Sequence, residues 1–108
     1  MYTLCIRYVL DPNQAAHFRT YAQNEQPVIE RCGGRIIGYW VPTDYAGPNH
    51  VGYGLIEFDS LTDYERYRKS LADDPTHKRN AEALTLSGAI LSMERSFIER
   101  VEYSPSGP

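Results

Sequence analysis

The succession of apolar runs and chain breakers predicts an α+β fold of ferredoxin-like order, β-α-β-β-α-β, with helices on one face of a four-stranded antiparallel sheet. Three observations predict it. An alternating apolar segment over residues 2–10 is followed by a helical stretch closed by Gly33-Gly34. Two strand-like runs, over 35–42 and 50–59, are joined by a short turn-rich link. A second helical region then leads into a last strand-like run over 91–101.

In the first strand Tyr2, Leu4, Ile6, Tyr8 and Leu10 point one way and Thr3, Cys5, Arg7 and Val9 the other, the period of a pleated strand. Asp11-Pro12 reads as an N-cap followed by proline at the first helical position, with Gln14 placed for a capping box. Phe18, Ala22, Ile29 and Cys32 share one helical face. Pro27 removes an internal hydrogen bond, so the helix is expected to kink before it or to divide in two. Gly33-Gly34 suits a left-handed C-terminal cap.

The second strand is apolar on both sides, with Ile37, Tyr39 and Val41 against Ile36 and Trp40. The third is similar, with Val51, Tyr53 and Leu55 against Ile56 and Phe58, and the short link between them makes an antiparallel hairpin. Ser60 caps a second helix with Asp63 at the capping-box position and Leu61, Tyr64, Arg68 and Leu71 on its inner stripe. Asp73-Asp74-Pro75 interrupts it, and a third helix runs from near Thr76 through Ala81 and Leu84 to Gly88. The last strand carries Met93, Phe97 and Val101 on one side. Residues 1–102 thus form one domain, and 103–108 a short mobile tail rich in Ser, Gly and Pro.

A sheet with one face in water should show clean apolar/polar alternation. The second and third strands do not. Bulky groups on both sides call for a second cover, and the simplest cover is the same sheet from another copy, packed about a two-fold axis. A homodimer through the sheet face is therefore expected.

Charge and composition exclude several classes. With a net charge of −3 and its basic residues diluted by acidic neighbours, the chain lacks the basic stripe that nucleic-acid binding needs. No segment resembles a signal peptide or approaches a membrane span, and the two cysteines make neither a disulfide framework nor a zinc pattern. The expectation is a cytoplasmic protein with reduced thiols, no membrane or nucleic-acid partner, no metal and no cofactor.

The stretch Gly34-Arg-Ile-Ile-Gly-Tyr-Trp40, then Asp44-Tyr-Ala-Gly47-Pro-Asn49-His50-Val51, resembles the NIPSNAP family, as does Tyr64-Glu-Arg66-Tyr-Arg68-Lys-Ser-Leu71 closed by Asp74-Pro75. The likeness runs from Tyr2 to about Val101. It implies a dimeric α/β barrel, two four-stranded sheets closing between subunits, with a small-molecule-sized pocket in each subunit between sheet and helices, and no settled enzymatic activity. Relatives in that fold include cofactor-independent monooxygenases, haem-degrading enzymes and proteins whose pocket has no assigned ligand. One departure is Thr76-His77, where the family often places an aromatic shortly after Asp-Pro.

Among residues able to carry chemistry, His50 stands where the hairpin enters the third strand, with Asp44 across the turn. An aspartate can orient a histidine as a general base, which gives the enzymatic alternative: a cofactor-independent monooxygenase or isomerase acting on a small aromatic or polyketide-like compound. The competing reading of His50 is a polar strand end bonded to the turn. Trp40, Tyr39, Tyr53 and Phe58 are candidates for an aromatic pocket, and equally for core or dimer interface. Arg7 and Glu57, on adjacent central strands, suggest a buried pair that fixes the dimer register or grips an anionic substrate. His17 and His77 are expected at the surface, Cys5 as a small core residue, and Gly52 and Gly54 as space for a helix or a ligand.

Overall fold

The computed structural model describes residues 1–105. Its elements follow the expected order: β1 (Tyr2–Leu10), α1 (Ala15–Arg31), β2 (Arg35–Trp40), β3 (Val51–Phe58), α2 (Leu61–Asp73), α3 (Pro75–Ser87) and β4 (Ile90–Ile98). The four strands form one antiparallel sheet in the order β2-β3-β1-β4. This is the ferredoxin-like fold with one added helix before the last strand.

The sheet's inner face packs on the helices. Leu4, Ile6, Tyr8 and Leu10 of β1 meet Phe18, Val28 and Ile29 of α1, Ile56 and Phe58 of β3, and Tyr67 and Leu71 of α2, all buried. Each large side chain so covered contributes about 1.5–3 kcal/mol of transfer free energy. Of the stripe expected on α2, Leu71 is buried and Tyr64 packs against the core, but Leu61 and Arg68 are exposed. Tyr67 takes the central place, its ring tilted against Phe58 at a centroid distance of 4.9 Å.

Several local expectations are corrected. Asp11 caps a single 3-10 turn, Pro12–Gln14, through Asn13 N at 3.0 Å, and Gln14 makes no capping bond to α1. α1 is not divided at Pro27. Pro27 and Gln23, whose carbonyl loses its bond, both lie on the exposed side, where water can serve that oxygen. Gly33, at φ +108°, ends the helix as expected. β2 stops at Trp40, before the proline that could not donate to a ladder. β3 begins after His50, and β4 ends at Ile98, leaving Val101 beyond it. Of the expected tail, Tyr103 is exposed and residues 106–108 lie outside the described residues.

A bulge reorders β2. Ile36 pairs with Ile56 but Gly38 pairs with Leu55, so Ile37 is the extra residue. Ile36 and Tyr39 consequently share the inner face, whereas strict alternation separates them. Trp40, opposite Tyr53, lies on the outer face and folds its indole over Gly38. The expected Arg7–Glu57 pair does not form. Glu57 stands opposite Thr3, and Arg7 faces Glu94 on the other neighbouring strand, 3.4 Å away and exposed. An exposed pair of this kind contributes about 0–1 kcal/mol.

Candidate functional site

α1 carries one charged residue in its apolar stripe. Glu25 is 1% exposed, the only buried charged side chain among the described residues. An isolated carboxylate there would be strongly unfavourable. Three groups satisfy it. Tyr21, one turn earlier, donates to Oε2 at 3.2 Å, Asn80 Nδ2 donates to Oε1 at 3.1 Å, and His77 Nδ1 lies 2.5 Å from Oε2.

His77 and Asn80 come from the first turns of α3, and Asp74 fixes where that helix begins. Its carboxylate accepts from Thr76 N at 2.9 Å and His77 N at 3.0 Å, and it also receives a two-pronged bond from Arg31 at the end of α1, at 2.9 and 3.0 Å. The His77 amide, followed by the Arg31 guanidinium, holds the Asp74 carboxyl below its ordinary range. One side chain thus caps α3 and ties it to α1. His77 is therefore not the surface residue expected from the sequence. It is half-buried, with its Nδ1 committed to Glu25. Nδ1 is occupied by the Glu25 carboxylate, and Nε2 makes no hydrogen bond among the described residues.

Aromatic side chains gather around this pair. Tyr8 and Tyr39 hydroxyls are 3.4 Å apart, and the Tyr8 ring lies 4.7 Å from Phe18. Two glycines of β3 make room for them. A Cβ on Gly54 would stand 2.7 Å from the Tyr39 ring, and one on Gly52 would stand 2.9 Å from Phe18. The space expected at these glycines is filled by the protein's own rings. Burial raises the phenols of Tyr8, Tyr21, Tyr39 and Tyr67 above their usual value, so all four remain neutral hydroxyls near pH 7.

Between the inner face of β1 and β4 and the three helices lies a cavity of about 460 Å³. Glu25, His77, Tyr8, Tyr21, Tyr39 and Tyr67 line one part of it; Leu4, Ile6, Leu71, Ala81, Leu84 and Met93 supply apolar wall. Arg68 of α2 and Arg95 of β4 also line it, and both are exposed. Arg95 stands opposite Ile6 in the sheet register, hence on the inner face. Its charge is felt at the Tyr8 hydroxyl, and that of Arg68 at Tyr67, each opposing the effect of burial. A mostly apolar cavity with a few convergent polar groups has the character of a small-molecule site.

Of the residues singled out from the sequence, Tyr39 lines this cavity. Phe58 is buried in the core beneath Tyr64 and Tyr67. Trp40, Tyr53 and Arg7 belong to the opposite face of the sheet. His50 and Asp44 are exposed in the β2–β3 link, with no hydrogen bond between their side chains, and neither lines the cavity; His50 contributes its carbonyl to Leu10 N at 2.7 Å. Sequence reasoning missed Glu25, although Phe18, Ala22, Glu25 and Ile29 follow helical spacing and set an acid within a buried stripe. Tyr21 four residues before Glu25, and Asn80 three after His77, are the corresponding signals on each helix.

Comparison with known proteins adds the following. The NIPSNAP family model matches residues 2–105. A crystal structure of an uncharacterized NIPSNAP-like domain protein from Burkholderia xenovorans is 27% identical, with a TM-score of 0.76 over 99% of this chain and 90% of that one. A NIPSNAP family protein from Agrobacterium tumefaciens is 24% identical, with a TM-score of 0.78 over 96% of this chain and 89% of that one. A putative antibiotic biosynthesis monooxygenase from Nitrosomonas europaea is 7% identical, with a TM-score of 0.70 over 94% of this chain and all of that one, which shows the fold alone. No curated protein gives a significant match. Among the described residues no helix is long and apolar enough to cross a membrane, and no cluster of His, Cys, Asp and Glu could hold a metal ion.

Proposed function

The chain belongs to the NIPSNAP family, and from that premise we propose that it is a homodimeric protein that takes up one small organic molecule per subunit between sheet and helices. The observation that carries this reading is the Glu25–His77 pair. A fully buried carboxylate, satisfied by three donors from two helices, forms part of the wall of a space that the protein's side chains leave unfilled. A pair serving packing alone could be replaced by apolar residues at little loss of stability. Turned toward a cavity, it supplies the few fixed polar contacts that orient a ligand.

The test is uptake of a bicyclic aromatic, 2-naphthol, by the full chain and by Ala81→Trp. Ala81 lies on the cavity wall, and an indole there occupies much of the space. At 100 times its dissociation constant the probe stabilises the native protein by about 2.7 kcal/mol, seen as a rise in Tm. The rise is absent in Ala81→Trp. Equal shifts in both proteins would place the probe elsewhere and remove the reading.

One arrangement supports chemistry on the bound molecule. Glu25 fixes Nδ1 of His77 and leaves Nε2 to act as a general base, the division of labour that proton abstraction requires. The enzymatic alternative, an isomerase or cofactor-independent oxygenase acting on a small aromatic compound, then has two candidate bases in His77 and His50. Turnover of a panel of enolisable aromatic ketones by His77→Gln and His50→Ala separates them. The base is the residue whose loss abolishes conversion, and a panel left unconverted by the native chain removes the alternative.

A further inference from the structure

We propose that the ligand of this cavity is an amphiphilic monoanion, an aromatic or alicyclic carboxylate, whose charged group sits at Arg68 and Arg95 and whose apolar body extends toward the tyrosines. The inference rests on the small-molecule reading above and adds its charge and orientation. Four of the nine arginines pair with a carboxylate: Arg7 with Glu94, Arg31 with Asp74, Arg35 with Asp59 and Arg66 with Asp63. Arg68 and Arg95, on different elements, form no ion pair and no side-chain hydrogen bond among the described residues, yet both line this one cavity. Arg95 stands opposite Ile6 on the inner face of β4, so its side chain starts on the cavity side of the sheet.

The distribution of charge within the cavity sets the direction. The Glu25 oxygens are already taken by Tyr21, Asn80 and His77, so that part of the wall offers a carboxylate no free donor from these groups. At the exposed side two guanidiniums offer planar, paired donors suited to a carboxylate. Leu4, Ile6, Leu71, Leu84 and Met93 supply the apolar surface that would cover the ligand's body. A neutral molecule of the same shape would leave both cations without a counter-charge. A dianion would bring its second charge toward Glu25.

The probes are 2-naphthoate and its neutral isostere 2-naphthamide, titrated calorimetrically into the full chain and into Arg68→Gln, Arg95→Gln and the double variant. The expected result is naphthoate bound about tenfold or more tightly than the amide, as charge-assisted hydrogen bonds provide. That preference weakens as ionic strength rises and falls to near parity in the double variant. Both arginines are exposed, so the variants are expected to keep the native Tm, which is measured alongside. Equal affinity of acid and amide for the native chain overturns the proposal while leaving the small-molecule reading intact. A preference that survives in the double variant overturns the assignment to these two residues. Binding of neither probe overturns both readings.

Discussion

Glu25 Oε2 lies 2.5 Å from His77 Nδ1, across 52 residues of chain and between two helices. That contact, with the bonds from Tyr21 and Asn80, turns an acid in the middle of an apolar helix face into a fixed structural centre. Removing the carboxylate leaves three donors facing one another. Glu25→Ala is expected to lower stability by about 3–5 kcal/mol, the range for breaking one side of a buried pair. Glu25→Gln keeps one acceptor oxygen but turns an amide N–H₂ toward donors, and is expected to lose about 1–3 kcal/mol. Urea unfolding midpoints at constant slope check both. A Glu25→Ala protein as stable as the native chain would mean that the pair does not hold α3 to α1.

Asp74 is expected to make the fold sensitive to acid. Its carboxyl is held below the ordinary value, first by the His77 amide and then by Arg31. A folded-state value below the unfolded one gives stability that is complete above about pH 4, the unfolded value, and is lost as pH falls through the folded value. The native chain is therefore expected to lose Tm progressively below pH 4. Asp74→Asn keeps the cap and removes the charge. It should show a lower Tm at pH 7 and a flatter acid limb. Parallel curves for the two proteins would assign the acid transition to other carboxyls.

The fold was legible because each element carried a local reason that tertiary packing did not oppose. The alternation of β1, the Ser60 cap, the break at Asp73-Asp74-Pro75 and the glycines after α1 all act within a few residues. The site was less legible because its parts meet only through tertiary structure. Glu25 and His77 look ordinary on their own helices, and nothing within either helix reports the other. His50 and Asp44, by contrast, are close in sequence and suggested a dyad, but the link that carries them turns both toward solvent. The β2 bulge is invisible for a related reason. Ile36-Ile37 supports either face equally, and only pairing with β3 selects which isoleucine is left over.

Gly54 and Gly33 separate two ways in which a glycine becomes indispensable. At Gly54 a Cβ would stand 2.7 Å from the Tyr39 ring, which must swing away and lose its hydroxyl contact with Tyr8. Gly54→Ala is expected to cost about 1–3 kcal/mol, as overpacking does, and to weaken naphthol uptake because Tyr39 lines the cavity. At Gly33 nothing lies within 4 Å of the new Cβ, but φ is +108°. Gly33→Ala should cost stability through backbone strain alone, about 1 kcal/mol or more, and leave uptake unchanged. Equal effects of the two substitutions on uptake would show that Tyr39 does not shape the cavity.

The face of the sheet turned away from the helices carries Trp40 and Tyr53 as direct cross-strand neighbours, 49% and 39% exposed. Leu55, Cys5 and Val9 continue that face as half-exposed groups, with the Arg7–Glu94 pair among them. An aromatic pair left half in water on the open face of a sheet is the pattern expected of a surface that a second copy covers. A two-fold axis through it would set Trp40 and Tyr53 against the partner's equivalents and offer each Arg7–Glu94 pair an opposite charge. The chain is expected to sediment at about twice its 12.3 kDa at micromolar concentration. Tyr53→Glu introduces a carboxylate into that face, opposite Arg7 on β1, and Trp40→Lys removes the largest anchor from the edge. Each should raise the dissociation constant by about thirtyfold or more, the loss of one aromatic hot spot at about 2 kcal/mol, while far-ultraviolet circular dichroism stays native. A native chain that sediments as a monomer at tens of micromolar would leave this face without a partner and remove the dimer from the proposed function.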